Sequence, residues 1–136
     1  MPLLTGITIN VNSPDTTLEL GVNESYTLSI TTSGAQLSAE TVWGALRGLE
    51  TFIQTVDYSD SMGYFISGVS VQITDSPRFA WRGFLVDTSR HYLSVQKLME
   101  IVDALSYSKF NVLHWHAVDA QSFPLVIPVC YFGHDF

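Results

Sequence analysis

Cysteine is nearly missing: Cys130 is the single one in 136 residues. No intrachain disulfide and no cluster of thiolate metal ligands can therefore form. Basic residues are also scarce, 6 against 13 acidic ones for a net charge of −7, which excludes the basic footprint of a nucleic-acid binder. Charge of either sign makes up only 14% of the chain while hydrophobic residues make up 46%, the balance of a globular domain rather than a disordered one. No run of about 18 apolar residues occurs, so no membrane span is expected. The opening, MPLLTGITIN, has neither a charged n-region nor a long apolar h-region and is not expected to act as a signal peptide. The metalloprotease HExxH, the nucleophile elbow GxSxG, the Walker A loop and the dinucleotide-binding GxGxxG are all absent. So are internal repeats and low-complexity stretches. No glutamate follows Glu100, and no pair of carboxylates stands together at a predicted strand end.

What is there falls into two blocks. Thr5–Val11 alternates Ile7, Ile9 and Val11 against Thr8 and Asn10, a half-buried strand, and Asn12-Ser13-Pro14-Asp15 is turn chemistry. Tyr26–Thr31 alternates again, Ser33-Gly34 reads as a turn, and Leu37 ends a short third strand. A helix is predicted next, with Ser38 as N-cap, Glu40 in its first turn, and Ala39, Val42, Trp43, Leu46, Leu49, Ile53 and Val56 on one stripe. Gly44 and Gly48 lie beside that stripe and allow a close approach. Tyr58–Gly63 is polar and turn-like, and Phe65-Ile66 and Val69–Ile73 read as short strands. Residues 1–76 are thus expected to form an α+β layer, an antiparallel sheet with one helix packed on it. Asn23-Glu24-Ser25 in this block is an N-glycosylation sequon, which matters only if the chain enters the secretory path.

Asp75-Ser76-Pro77-Arg78 marks the boundary. Beyond it Gly83–Val86 is a short apolar strand, followed by Asp87-Thr88-Ser89-Arg90-His91. A helix capped by Ser94 carries Val95, Leu98, Met99, Val102 and Leu105 on one stripe and closes at Ser106–Lys109, and Phe110–Trp115 is a second strand. Strand, helix and strand at this spacing form a βαβ unit with parallel strands and a right-handed crossover. Both polar clusters then emerge at the carboxyl edge of the sheet, where sites are built in α/β folds.

Four side chains on that edge carry chemistry. Arg90 offers a planar fork of donors to sugar hydroxyls, carboxylates or phosphates, or else is tied to Asp87. His114 and His116, two apart on a strand, share a face. They could hold a metal with His91 or Asp119, or serve as hydrogen-bonded interior residues. Asp119 could act as a base, accept from substrate, orient a histidine, or pair with Arg90. Trp43, Trp81 and Trp115 are expected in cores, and Cys130 reads as a buried or incidental thiol.

These residues resemble a known family. Trp81-Arg82-Gly83 followed by Asp87-Thr88-Ser89-Arg90-His91-Tyr92-Leu93 is similar to the start of the catalytic barrel of glycoside hydrolase family 20, the β-N-acetylhexosaminidases. Lys109–His116 and Asp119-Ala120-Gln121-Ser122-Phe123-Pro124 resemble the second barrel strand and its loop, with Ala120 where the family often has a second aspartate. Trp43–Phe52 resembles the helix of the family's N-terminal domain, and Asp75–Phe79 the junction. The resemblance implies a zincin-like, zinc-free α+β domain over 1–76, the first βαβ unit of a truncated (β/α)8 TIM barrel over 77–128, and an unrelated-looking tail over 129–136. A whole barrel needs about 250 residues.

The implied activity is removal of terminal N-acetylglucosamine or N-acetylgalactosamine from glycans and glycoconjugates, with retention, the substrate's own 2-acetamido oxygen attacking the anomeric carbon. The Asp-Glu pair that does the proton work is expected beyond Phe136, so no catalytic residue is expected in this chain, which is expected to be inactive alone. Arg90 would bind ring hydroxyls, with Asp119 and His116 as supporting residues and Asn23 as a possible glycosylation site. The resemblance implies no cofactor and no metal, glycans as partners, a possible homo- or heterodimer, and a lysosomal, vacuolar or extracellular location. Two alternatives remain. One is a non-catalytic chain that pairs with a full-length subunit or binds sugar weakly through Arg90 and Trp115. The other is a metal-dependent hydrolase using His114, His116 and Asp119.

Overall fold

The computed structural model describes residue 4 and residues 6–126; Cys130 and the tail expected over 129–136 lie outside the described residues. The chain divides into two compact units, Met1–Trp81 and Arg82–Phe136.

The first unit is built on strands β1 (Ile7–Val11), β2 (Tyr26–Thr31), β3 (Gly34–Ala39) and β6 (Val71–Asp75), in the order β1-β3-β2-β6. A tight turn at Thr32-Ser33 joins β2 to β3 as an antiparallel hairpin, in register from Tyr26↔Ala39 to Thr31↔Gly34. β6 adds antiparallel to β2. The sheet is not wholly antiparallel as expected, because β1 runs parallel to β3, Ile7 opposite Ala35 and Val11 opposite Ala39. The reason is topological: the connection over 12–25 crosses one end of the sheet and starts β2 one strand away from β1 and antiparallel to it, and β3, turning back from β2, fills the gap and so runs parallel to β1.

Ser38 and Ala39 belong to β3 and not to the helix, whose N-cap is Thr41. Ala35, Leu37 and Ala39 complete a period-2 set of buried side chains, and that burial outweighs the helix-start chemistry of Ser38 and Glu40. Helix α1 is Val42–Gln54, with the Thr41 side chain accepting from the Gly44 N–H at 3.2 Å. Its buried face is Gly44, Ala45 and Gly48, flanked by Leu49 and Phe52 against Tyr26, Leu28, Ile30 and Leu37. Leu46 and Ile53, placed on the core stripe by spacing alone, are exposed. The two glycines explain the rotation: a Cβ on Gly48 would fall 2.2 Å from Leu37 Cδ1, so the helix lies closer to the sheet on its small-residue side than larger residues would allow.

Val56 opens strand β4 (Val56–Ser59), which pairs with β5 (Gly63–Ile66) as a second hairpin where a turn was expected. Tyr58 and Tyr64 stand opposite each other in it, ring centroids 5.1 Å apart, a cross-strand aromatic pair. Polar groups also brace the first unit. Arg47 Nε donates to Glu24 Oε1 at 2.7 Å where Glu24 is buried, and the Tyr26 hydroxyl donates to Asp75 Oδ2 at 3.0 Å.

The second unit is the βαβ motif: β7 (Gly83–Asp87), α2 (Val95–Tyr107) and β8 (Val112–His116), the strands parallel with Gly83 opposite Val112 and Asp87 opposite His116. Ser94 caps α2, its side chain accepting from the Lys97 N–H at 3.2 Å. The helix ends at Ser108, and Lys109 turns left-handed at φ 57°. Phe84 and Phe110 pack edge to face, centroids 6.4 Å apart. The helix side of the strands is apolar. Val86, Leu113 and Trp115 line a cavity of about 350 Å³ with Val95, Leu98, Met99 and Val102. Trp115 is thus no core residue, being 40% exposed. By alternation Leu85, Asp87, His114 and His116 occupy the other face. Among the described residues no helix is long and apolar enough to cross a membrane.

Candidate functional site

The polar end of the β7–β8 pair gathers the residues singled out in the sequence. β7 ends in Asp87 and β8 in His116, directly opposite each other. Past β7 the chain turns sharply, and the turn is organised by Asp87 itself. Its Oδ1 accepts from the backbone N–H groups of Ser89 at 2.9 Å and Arg90 at 3.0 Å, and its Oδ2 accepts from Arg90 Nε. This Asx-type turn aims the Arg90 side chain along the strand edge. The backbone hydrogen bond from Arg90, with its side chain and Ser89 adding to it, pulls the Asp87 carboxyl down to about 2.

The guanidinium then bridges to the second loop, Nη1 donating to Asp119 Oδ2 at 3.0 Å. The same Oδ2 meets His116 Nε2 at 3.0 Å, while Asp119 Oδ1 accepts from the Ala120 N–H at 2.6 Å. That N–H, followed by His116 and Arg90, holds the Asp119 carboxyl below its ordinary range. Arg90, between two carboxylates with Asp87 the stronger influence, is pushed up in turn. It carries its charge at any working pH.

Arg90 is therefore both tied and available. Two of its five donors are engaged by carboxylates, yet the side chain is 47% exposed. The two readings left open from sequence, a free donor fork or an arginine tied to Asp87, hold together in one geometry. Its orientation is fixed before any ligand arrives, which removes part of the roughly 0.5–1.5 kcal/mol that immobilising such a side chain takes on binding. A planar fork held at a sheet's carboxyl edge suits hydroxyl pairs or an anion.

Asp119 and His116 join Arg90 in one network. His114 shares their strand face but lies opposite Leu85 and is outside that network. Among the described residues no three His, Cys, Asp or Glu side chains come together as a metal site. Trp115 points to the helix side, so Arg90 and Trp115 do not form one sugar platform. Three contributors escaped the sequence reading. Thr88 accepts from Trp115 Nε1 at 2.9 Å, and Ser89 and Ser122 exchange side-chain-to-carbonyl hydrogen bonds. Among the described residues Thr88 and Ser89 are two of the three buried polar ones, but nothing in a Thr-Ser pair of a polar run announces burial.

Comparison with known proteins places the chain. Residues 3–55 match the family model described as beta-acetyl hexosaminidase like, and residues 79–130 match the glycosyl hydrolase family 20 catalytic domain. The chain is 48% identical over 119 residues to beta-hexosaminidase subunit A1 of Dictyostelium discoideum, covering 88% of this chain and 22% of that protein. It is 53% identical over 122 residues to human beta-hexosaminidase subunit beta, covering 90% and 21%. Among solved structures, a chitobiase of Flavobacterium johnsoniae superposes with a TM-score of 0.76 at 38% identity, over 86% of this chain and 17% of that one. The family 20 beta-N-acetylhexosaminidase of Streptomyces coelicolor A3(2) gives 0.69 at 26% identity, over 87% and 24%. The chain spans about a fifth of the length of the relatives it matches.

Proposed function

The chain belongs to glycosyl hydrolase family 20, and we propose that its second unit is one wall of an N-acetylhexosamine site, with Arg90 as the residue that grips the terminal sugar. On this reading the βαβ unit, over 77–128, is the opening of a (β/α)8 barrel, and residues 1–76 are the family's zincin-like N-terminal domain. The observation that carries the reading is the Arg90 fork at the carboxyl edge of β7. It is held by Asp87 and Asp119 with three donors left over, in a chain about half identical to beta-hexosaminidases.

Each residue then has a task. Arg90 donates to ring hydroxyls, its planar fork presenting N–H groups at fixed positions where an ammonium would offer only rotating donors. Asp119 holds Arg90 and His116 in place and keeps the edge anionic, and His116 supports it from below. The reaction is hydrolysis of terminal N-acetylglucosamine or N-acetylgalactosamine from glycans by a retaining mechanism, the substrate's acetamido group acting as nucleophile. It calls for no metal or cofactor. It does call for a proton-donating carboxylic acid, and among these 136 residues no glutamate follows Glu100, while Asp87 and Asp119 are both held ionised. The pairing of this chain with a full-length subunit, and a lysosomal, vacuolar or extracellular location, belong to the same reading.

Two measurements on the 136-residue polypeptide test it. A chromogenic N-acetylglucosaminide is expected to show no turnover, since loss of a general acid alone lowers rate by about 10²–10⁴-fold. Clear turnover would place the acid among residues given other tasks here. Titration with N-acetylglucosamine, followed through the arginine side-chain NMR signals, is expected to shift Arg90 and to leave Arg47 and Arg78 unmoved. An unmoved Arg90 sinks the assignment.

A further inference from the structure

The two loops that carry Arg90 and Asp119 are joined by a second connection, deeper than their ion pair. Ser89 Oγ donates to the carbonyl oxygen of Ser122 at 2.8 Å, and Ser122 Oγ donates to the carbonyl oxygen of Ser89 at 2.8 Å. Residues 33 apart in sequence thus exchange hydroxyl-to-carbonyl hydrogen bonds as a closed pair. The Ser122 carbonyl also accepts from the Asp119 N–H at 3.2 Å, which folds the 119–122 turn back on itself. On the other loop, the Ser89 N–H is fixed by Asp87. Beneath the pair, the Thr88 N–H donates to the His116 carbonyl at 3.1 Å and extends the β7–β8 ladder by one step.

From this geometry we infer that Ser89 and Ser122 form a latch that sets the distance between Arg90 and Asp119, and so are positioning residues for the sugar-gripping guanidinium; the inference rests on the site reading given above. Three points favour a latch over an incidental contact. Ser89 is 5% exposed, so its hydroxyl has little water as an alternative partner and an unmade bond there is unfavourable by about 1–3 kcal/mol. Each serine is adjacent to the residue it serves or closes that residue's turn: Ser89 directly precedes Arg90, and Ser122 accepts from Asp119. The two hydroxyls are reciprocal: losing that of Ser122 takes the hydroxyl donor from the Ser89 carbonyl, and losing that of Ser89 leaves the Ser122 carbonyl with the Asp119 N–H alone. The Arg90–Asp119 pair is too exposed to fix the loops by itself, with side chains 47% and 32% accessible. A solvent-facing ion pair of this kind contributes about 0.2–1 kcal/mol.

The latch predicts a spectroscopic signature. The guanidinium is held by Asp87 at Nε and by Asp119 at Nη1, on different loops, so rotation about its Nε–Cζ bond is slowed only while the loops stay together. In the ¹⁵N-arginine-labelled 136-residue chain, Arg90 is expected to show separate Nη1 and Nη2 signals. S122A and S89A are each expected to merge them into one, with the β7 and β8 backbone amides retained. S122T, which keeps the hydroxyl, is expected to restore the separation. Unchanged Arg90 signals in both alanine variants overturn the latch, and so does an S122T that behaves as S122A. Loss of the β7–β8 amides in both alanine variants overturns it as well, because the pair would then hold the strands rather than the guanidinium. Titration of the wild-type chain with N-acetylglucosamine separates this result from the site reading. A split Arg90 signal that ignores the sugar keeps the latch and sinks the sugar grip; an unsplit signal that shifts with sugar does the reverse.

Discussion

Gly44→Ala sets two rules against each other, and the structure decides between them. In an exposed helix position alanine is favoured over glycine by about 1 kcal/mol. At Gly44 a Cβ would fall 2.3 Å from the carbonyl oxygen of Ser25, with Ala39 Cβ at 3.2 Å and Glu24 C at 3.3 Å. The nearest atom is backbone at the start of β2 and cannot swing aside as a side chain can. Relief requires α1 to lift from the sheet by roughly the 1 Å that separates 2.3 Å from ordinary contact. That lift strains the Thr41 cap and the Arg47–Glu24 pair, which anchor the same junction. Overpacking of this kind is unfavourable by about 1–3 kcal/mol, so after the alanine advantage the net change is a loss of up to about 2 kcal/mol. For a unit of this size that lowers Tm by up to about 15 °C. The control is Gly6→Ala, where nothing lies within 4 Å of the new Cβ and no loss is expected. Thermal melts of the two variants beside the parent chain, followed by circular dichroism, read the difference. If Gly44→Ala is as stable as Gly6→Ala or more so, the close approach of α1 to β2 is wrong.

The remaining expectations concern pH, a cap and a modification. The Asp87 carboxyl, at about 2 instead of 3.8, contributes stability that is fully present above about pH 4 and is lost as pH falls toward 2; the lowered Asp119 acts in the same direction. Melts taken from pH 5 to pH 2 should therefore decline, and D87N should flatten part of that decline; an unaltered slope counts against the turn. Thr41→Ala removes the hydroxyl that accepts the Gly44 N–H and should lower stability by about 1 kcal/mol, measured by urea denaturation. Asn23 is exposed, and its Oδ1 accepts from the Ser25 N–H at 2.9 Å and Oγ at 2.6 Å. Expressed behind a secretion leader in a eukaryotic host, the chain should gain a glycan mass at Asn23 that N23Q abolishes; an unmodified Asn23 in that host refutes the assignment.

The parts of this fold legible from sequence are those governed by local rules. The βαβ unit followed from one strand pattern, one capped amphipathic stripe and another strand, and Ser94 was visible as a cap because capping is a three-residue geometry. Arg90, Asp119 and His116 fell at one edge because strand direction and alternation place them there. What escaped depends on partners far along the chain. The parallel pairing of β1 with β3 is a choice among strands separated by dozens of residues, and alternation within each strand is silent about it. The end of β3 looks like a helix start in sequence because Ser38 and Glu40 suit a cap, while the deciding factor, burial of Ala39 beneath α1, is tertiary. Large apolar residues usually mark the core side of a helix, whereas in α1 Gly44 and Gly48 do, and no periodicity of apolar residues reveals that. The roles of Ser89 and Ser122 rest on main-chain carbonyls, which every residue has and no sequence pattern distinguishes.

The strand order β1-β3-β2-β6 also dictates a sequence of events in time. β2 and β3 are joined by a two-residue turn, so the middle of the sheet closes with little loop entropy and forms on the microsecond scale of hairpins. β1 precedes the rest of this sheet in the chain but has no partner until Gly34–Ala39 exists, and β6 must wait for α1 and the second hairpin to be traversed. The sheet therefore grows outward from its centre, and β1 is among the last of its strands to dock. Changes in β2 or β3 should slow folding, whereas changes in β1 should chiefly quicken unfolding.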